Sequence, residues 1–214
     1  MALTKDELKW ATVMALTTPR TDLLFATAVA QPTVLDSGRY QPMKKNPASM
    51  TDYLTVDFSG AYEICVTAMC IQTTGYTQTL FGRRSATQRQ GPFFDISYNE
   101  ESYPNSYYFL HSETESIAVR KTEFPVVTGE WMVHKMAYRN GELTAKIEYR
   151  DGRPYFTGSL QNVQPGPSSC IPLVGGELST ASVNDFIAKN CILDLANTYI
   201  RIGSTIVWGR RAIR

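Results

Sequence analysis

The segment at residues 129–160, GEWMVHKMAYRNGELTAKIEYRDGRPYFTGSL, decides the fold class. In its middle, apolar residues occupy every second position; they are Leu143, Ala145, Ile147 and Tyr149. This two-residue period is typical of a β-strand with one buried and one exposed face. On either side stand Asn140-Gly141 and Asp151-Gly152, dipeptides that tolerate positive φ and close two-residue hairpins. The segment therefore predicts three consecutive antiparallel strands.

Short strand-like segments continue in both directions from this hairpin pair. Tyr62–Cys70 is apolar on both faces, which predicts a central strand covered on each side. Further strands are expected at residues 78–81, 93–98, 107–111, 116–121, 198–202 and 205–208. Residues 161–189, rich in proline and glycine, are expected to form the long loop. Many short strands with almost no helix predict an all-β antiparallel sandwich, of the jelly-roll type.

The N-terminus carries the only clear helical signal. Thr4 followed by Glu7 matches a capping box, and Pro19 ends the run. We expect a short helix over residues 5–15, within an arm of residues 1–30 that precedes a sandwich domain at residues 31–214. The arm either docks on a neighbouring protein or covers one end of its own sandwich, and the sequence leaves both open.

Charge and composition exclude several classes of partner. The chain has 214 residues with 21 basic and 20 acidic side chains, so its net charge is +1. A nearly neutral chain lacks the field that nucleic acid or an anionic membrane would select. Residues 1–10 show no secretory signal, and the apolar run at 23–30 is too short to span a bilayer. We expect synthesis in a cytoplasm, with no membrane insertion and no nucleic acid.

The four cysteines predict packed thiols. Cys65 and Cys70 fall on opposite faces of one strand, so they are not expected to bridge. Cys170 and Cys191 could meet in space, but a reducing compartment favours thiols. No cysteine or histidine spacing matches a zinc site.

Several runs resemble concanavalin A-like and laminin G-like jelly rolls. They are VTGEW at 127–131, MAY at 136–138, NGEL at 140–143, YRDGR at 149–153 and LVGG at 173–176. The terminal ILDLANTYIRIG at 192–203, followed by Val207-Trp208, resembles the version of this fold in tailed-phage virion proteins. His134 stands where that family has a small aliphatic residue. It shares a face with Met132 and Met136, which predicts a packed, hydrogen-bonded histidine.

The sequence lacks the carboxylate arrangement that glycosidases with this fold use. Glycosidases of this fold set two carboxylates on one strand, about 5 Å apart in retaining enzymes. Glu113 and Glu115 have suitable spacing, but they sit at a predicted hairpin tip, so the sequence favours a non-enzyme. Laminin G-like domains often hold calcium at the rim. Candidate donors here are Asp36, Asp52, Asp57, Asp95 and Asp185, and none lies in a run that defines a site, so we expect no cofactor and leave calcium open.

Aromatic and basic residues supply the candidate binding surface. Tyrosines crowd one segment next to Asn99 and Asn105; they are Tyr98, Tyr103, Tyr107 and Tyr108. Core packing, a protein interface and sugar stacking all use such residues. Arg83 and Arg84 lie in a basic loop with Arg89, and such a loop is more often a solvated turn or a contact between subunits than a phosphate site. His111 alternates with Tyr107, which favours a half-buried histidine over a glycan contact.

The resemblance implies a function in assembly. A structural or decorating component of a phage particle, capsid or tail, would contact other virion proteins and copies of itself, and would reside in the virion. A carbohydrate-binding lectin module that attaches to surface glycans is the alternative. A glycoside hydrolase is a more distant one.

Overall fold

We analysed a computed structural model of the chain, which describes residues 23–25, 33–36, 39–42, 56–70, 78–85, 91–96, 104–175, 178–179 and 191–209. All regular elements in these ranges are strands. They are β1 (Leu23–Phe25), β2 (Thr33–Asp36), β3 (Arg39–Pro42), β4 (Tyr62–Cys70), β5 (Gln78–Ser85), β6 (Phe93–Ile96), β7 (Asn105–Leu110), β8 (Ser116–Arg120), β9 (Trp131–Arg139), β10 (Glu142–Tyr149), β11 (Pro154–Gln161), β12 (Ile171–Val174), β13 (Leu178–Ser179), β14 (Cys191–Ile202) and β15 (Thr205–Gly209).

The strands form two sheets. The first has the order β1-β14-β4-β9-β10-β11, and β15 also pairs with β14. The second has the order β3-β2-β12-β5-β6-β7-β8, and the two-residue β13 runs parallel to β5. All other strand pairs are antiparallel, which confirms the all-β antiparallel sandwich. The predicted helix at residues 5–15 lies outside the described residues.

The β9-β10-β11 meander follows the sequence pattern that predicted it. Leu143, Ala145 and Ile147 are completely buried, while the residues between them are partly exposed. Asn140 and Gly141 have φ values of 52° and 79°, so both adopt the positive φ of a two-residue hairpin. The second turn differs from the prediction. Only Gly152 has positive φ there, and the Tyr149 N–H donates to the Arg153 carbonyl, so this loop contains three residues.

Two other strand predictions had different outcomes. β4 lies between β14 and β9, as expected for a strand that is apolar on both faces. The predicted loop at residues 161–189 was wrong in part, because it contains β12 and β13. The run in β12 has only four residues and includes Pro172, so it carries no periodicity of its own. It is a strand because β5 and β2 pair with its two sides.

The core lies between the inner faces of the sheets. Its largest completely enclosed side chains include Phe58, Phe81, Phe94, Tyr107 and Phe109. The Phe94 ring packs against two neighbouring rings, with its centroid 5.6 Å from that of Phe81 and 5.4 Å from that of Phe109. β1, which belongs to the segment assigned to the arm, pairs with β14 of the first sheet. The division of the chain at residue 30 stays a prediction.

Candidate functional site

Polar side chains meet just after β7, around His111. The His111 ring is completely buried and stacks on Tyr138 with 4.8 Å between ring centroids. Its Nδ1 lies 2.6 Å from the Tyr62 hydroxyl, and its Nε2 lies 2.8 Å from the carbonyl oxygen of Gln164. Tyr62 and Tyr138 belong to the first sheet, whereas His111 follows a strand of the second. This His111 cluster therefore ties both sheets to the segment after β11.

The partners of His111 fix its tautomer. A carbonyl oxygen can only accept, so Nε2 carries the proton and donates it to Gln164, while Nδ1 accepts a hydrogen bond from Tyr62. Burial lowers the pKa of His111, and the Gln164 carbonyl opposes that shift only in part. Burial likewise raises the pKa of Tyr62 well above its usual value. Both groups are neutral at physiological pH, so the cluster is held together by hydrogen bonds between uncharged groups.

The two carboxylates with suitable spacing, Glu113 and Glu115, lie in different environments. Glu113 is exposed at the β7–β8 turn, in agreement with a hairpin tip. The Glu115 carboxylate accepts hydrogen bonds from the Ser112 hydroxyl at 2.8 Å and from the Gln164 N–H at 2.7 Å. Glu115 therefore holds the turn against the segment after β11. That segment then passes so close to the core that a Cβ at Gly166 would lie 3.2 Å from the His111 ring.

His134 occupies the middle of the core on β9. It is 2% exposed and stands in register between Val66 of β4 and Ile147 of β10, while the ring of Tyr107 covers it from the second sheet at 5.6 Å. Neither ring nitrogen has a hydrogen-bond partner among the described residues. Burial lowers the pKa of His134 to about 4, and a contact with the Val66 main chain, which does not meet the distance and angle of a regular hydrogen bond, opposes this shift in part. The predicted packing is confirmed, and the predicted hydrogen bond is not found.

β14 contains a large bulge within the sequence run that resembles phage proteins. It advances five positions from Asp194 to Tyr199 while β4 advances only two, from Thr67 to Cys65. The Asn197 carbonyl accepts a hydrogen bond from the Thr67 hydroxyl at 2.9 Å, and the Asn197 side-chain amide donates to Asp194 at 2.8 Å. These hydrogen bonds replace the regular ladder across the bulge. The polar residues of the run therefore have structural roles.

Ion pairs cover the outer face of the first sheet. Asp194 is buried and receives the Arg150 guanidinium at 3.0 Å. Glu148 lies 2.9 Å from Lys135 and 2.5 Å from Lys146. Although burial raises the pKa of Glu148, the hydrogen bonds and charges of the two lysines lower it overall. Glu148 thus pairs with two lysines, and Asp194 pairs with Arg150.

The predicted binding tyrosines do not share one surface. Tyr107 is buried between the sheets, where its hydroxyl accepts a hydrogen bond from the Val127 N–H at 3.1 Å. Tyr108 is the next residue of β7 and therefore lies on the opposite, outer face, beside Asp95 and Ala118 in register. One ligand cannot contact both rings. Adjacent positions in a strand point to opposite faces, so the sequence already contained this signal.

The remaining predicted contact residues are two tyrosines and two arginines. Tyr98 and Tyr103 lie outside the described residues. The prediction of a loop at Arg83 and Arg84 was wrong, because β5 continues to Ser85 and pairs there with β12, with Arg83 in register with Pro172 and Arg84 with Ile171. Within the described ranges, no group of three or more His, Cys, Asp or Glu side chains converges as metal ligands. Those ranges also contain no helix with the length and apolar character needed to cross a membrane.

Comparisons with known proteins support the fold. No family model matches the sequence, and no curated protein matches it either. Among solved structures, the enzymatically active domain of tailspike protein 2 from bacteriophage CBA120 gives a TM-score of 0.56 at 8% identity, over 85% of this chain and 33% of that one. A SAP-like pentraxin from Limulus polyphemus gives 0.45 at 11% identity, over 80% of this chain and 76% of that one.

A sialidase from Trypanosoma rangeli also gives a TM-score of 0.45 at 11% identity, over 64% of this chain and 20% of that one. The chain thus spans about a fifth of the sialidase and a third of the tailspike domain. At such identities a likeness concerns the fold alone, and the tailspike match supports a jelly-roll-like β-sandwich.

Proposed function

We propose that this chain is a non-enzymatic structural or decorating protein of a phage particle, built on a concanavalin A-like sandwich and acting through protein–protein assembly. The observation that carries the proposal is the β14 bulge. The run at residues 192–203 resembles tailed-phage virion proteins, and its Asp194 and Asn197 serve the geometry of that bulge. The resemblance therefore involves residues that specify a distinctive local structure.

The described polar clusters favour a non-enzyme. A glycoside hydrolase needs one carboxylic acid and one carboxylate facing a common cleft. Glu115 is committed to two hydrogen bonds at the β7–β8 turn, and Glu113 points into solvent beside it. His111 and His134 are buried, and both nitrogens of His111 are hydrogen-bonded within the protein, so neither ring presents a base to a molecule in solvent. These groups stabilise the sandwich instead.

Incorporation into particles tests the proposal. A tagged copy expressed in infected cells should band with particles in a density gradient and resist a high-salt wash, and Lys146→Ala should behave identically because Lys146 lies on a solvated face. Deletion of residues 1–19 should abolish incorporation without lowering the melting temperature, if the arm docks on a neighbour.

Two outcomes would overturn this function. One is absence of the tagged chain from particles together with specific retention on a glycan array, which would favour a lectin. The other is a polysaccharide-degrading activity of the purified chain that Glu113→Gln abolishes.

A further inference from the structure

β11 is the outermost strand of the first sheet on one side of the sandwich. β10 pairs with one of its edges, and no strand in the described part of the chain pairs with the other. The strand has eight residues, Pro154–Gln161, which is long for an edge. The outward N–H and C=O groups of an edge strand are a template for another extended chain. The geometry of this edge therefore specifies a partner that is itself a β-strand.

β11 lacks one usual protection of an edge, a charged residue within the strand, although its pairing with β10 contains a bulge at Tyr155 near the start of the strand. From Pro154 to Gln161 the strand carries no charged residue, and its proline is confined to the first position. β8, the corresponding outer strand of the second sheet, ends in the exposed Arg120, which Lys121 follows. Charged residues on an edge oppose pairing with another strand. β8 therefore carries a charge within the strand and β11 does not, since Arg153, which precedes β11, is paired with Asp151 at 2.7 Å.

The inner face of β11 leaves an apolar side chain incompletely covered. Phe156, Gly158 and Leu160 are in register with Ile147, Ala145 and Leu143 of β10, all completely buried. A Cβ at Gly158 would lie 2.8 Å from Cζ of Phe156, so the Phe156 ring lies over the glycine. Leu160 remains 37% exposed.

We propose that β11 pairs antiparallel with β11 of a second copy of this chain, around a two-fold axis that passes beside Gly158. Opposed residues in an antiparallel pair lie on the same face, so inner residues must oppose inner residues. An axis beside Gly158 sets Phe156 opposite the partner's Leu160 and Thr157 opposite the partner's Ser159.

The neighbouring symmetric registers fit less well. An axis beside Ser159 would set Gly158 opposite the partner's Leu160 and Phe156 opposite the partner's polar Asn162. An axis beside Thr157 would set Gly158 opposite the partner's Phe156 and Leu160 opposite the partner's Pro154, which the bulge in β11 puts in register with the outer-face Glu148. Because the strand is neutral, the symmetric pairing also opposes no like charges. Self-pairing joins the two first sheets into one continuous sheet. The inference rests on the proposed assembly function, for which it names the contact surface and the partner.

Sedimentation of the purified chain tests the pairing. The intact chain should show a reversible monomer–dimer equilibrium, and Leu160→Lys should weaken dimerisation at least tenfold because it places charges in the paired inner face. Ile206→Lys is the matched control. Ile206 is 40% exposed on β15, which pairs with β14 away from β11, so dimerisation should be unchanged. Equal circular dichroism spectra would show that both variants fold.

Cysteine crosslinking tests the register. Directly opposed residues have Cβ atoms about 4.5–5.5 Å apart, close enough for a disulfide after a small adjustment. A mixture of Thr157→Cys and Ser159→Cys chains should form the mixed disulfide at least tenfold more than either chain forms with itself. The four native cysteines are buried and do not compete.

Three results would overturn the pairing. The first is a chain that stays monomeric at all concentrations, which is also the result expected if the partner strand belongs to a different protein. The others are an equal loss of dimer in both lysine variants and preferential self-crosslinking of one cysteine variant. Failure of the pairing is distinguishable from failure of the proposed function. If the chain dimerises through β11 but is absent from particles, the proposed pairing stands and the proposed function fails. If the chain is monomeric but enters particles, the proposed function stands and the proposed pairing fails.

Discussion

His111 and His134 are buried in the same sandwich, but the protein treats the two rings differently. Both nitrogens of His111 have hydrogen-bond partners, one on each side of the ring. Neither nitrogen of His134 has one among the described residues, and its surroundings in register are Val66 and Ile147. The difference shows that burial alone does not define the role of a histidine. His111 fastens three segments together, whereas His134 fills core volume and leaves two polar atoms without compensation.

Replacement of each histidine ring should give the largest difference in the free energy of unfolding. His111→Ala leaves the Tyr62 hydroxyl and the Gln164 carbonyl without their partner and opens a cavity, so it should lower the free energy of unfolding by about 3–5 kcal/mol. His134→Leu keeps the volume and removes two uncompensated polar atoms, so it should cost less than about 1.5 kcal/mol or stabilise the protein. Urea unfolding at neutral pH measures both. Equal losses would mean that the hydrogen bonds of His111 contribute nothing.

Acid should destabilise the protein chiefly through His134. The pKa of His134 is about 4 in the folded chain and about 6.5 when unfolded, so the unfolded state binds more protons between those values. Stability therefore falls as the pH drops through this window, by up to about 3 kcal/mol at pH 4. The lowered pKa of His111 acts with the same sign.

Unfolding measured from pH 7.5 to pH 4 gives this dependence. His134→Leu, which lacks the titrating ring, should flatten most of the slope. A variant with the slope of the intact chain would assign the acid sensitivity to other groups.

A smaller effect should follow from the loss of one hydrogen bond. Tyr62→Phe removes the donor to His111 Nδ1 and should cost about 1–3 kcal/mol. Because that hydrogen bond favours the neutral ring, its loss should also raise the pKa of His111, which a proton NMR titration can follow. Tyr108→Phe, on the outer face, serves as the control and should change stability by less than about 0.5 kcal/mol. An unchanged His111 pKa in Tyr62→Phe would contradict the assigned tautomer.

The sequence predicts the structural features that depend on residues close together along the chain. The β9-β10-β11 meander was predictable because each turn lies between the strands that it joins, and the alternation around Ile147 defines the buried face. The burial of His134 followed from the same alternation. The partners of His111 could not be predicted, because Tyr62 and Gln164 lie 49 and 53 positions away. Only the packing of two sheets brings them together.

The pairing of β4 with β14 has a consequence for biosynthesis. The hydrogen bonds from Thr67 to Asn197 and from Tyr199 to Glu63 join residues 130 and 136 positions apart, so the centre of the first sheet stays incomplete until β14, Cys191–Ile202, has left the ribosome. Chains dominated by such distant contacts fold in milliseconds to seconds. At about 5–20 residues per second of synthesis, the apolar β4 waits many seconds for its second neighbour. Newly made chains should therefore depend on chaperones until β14 emerges.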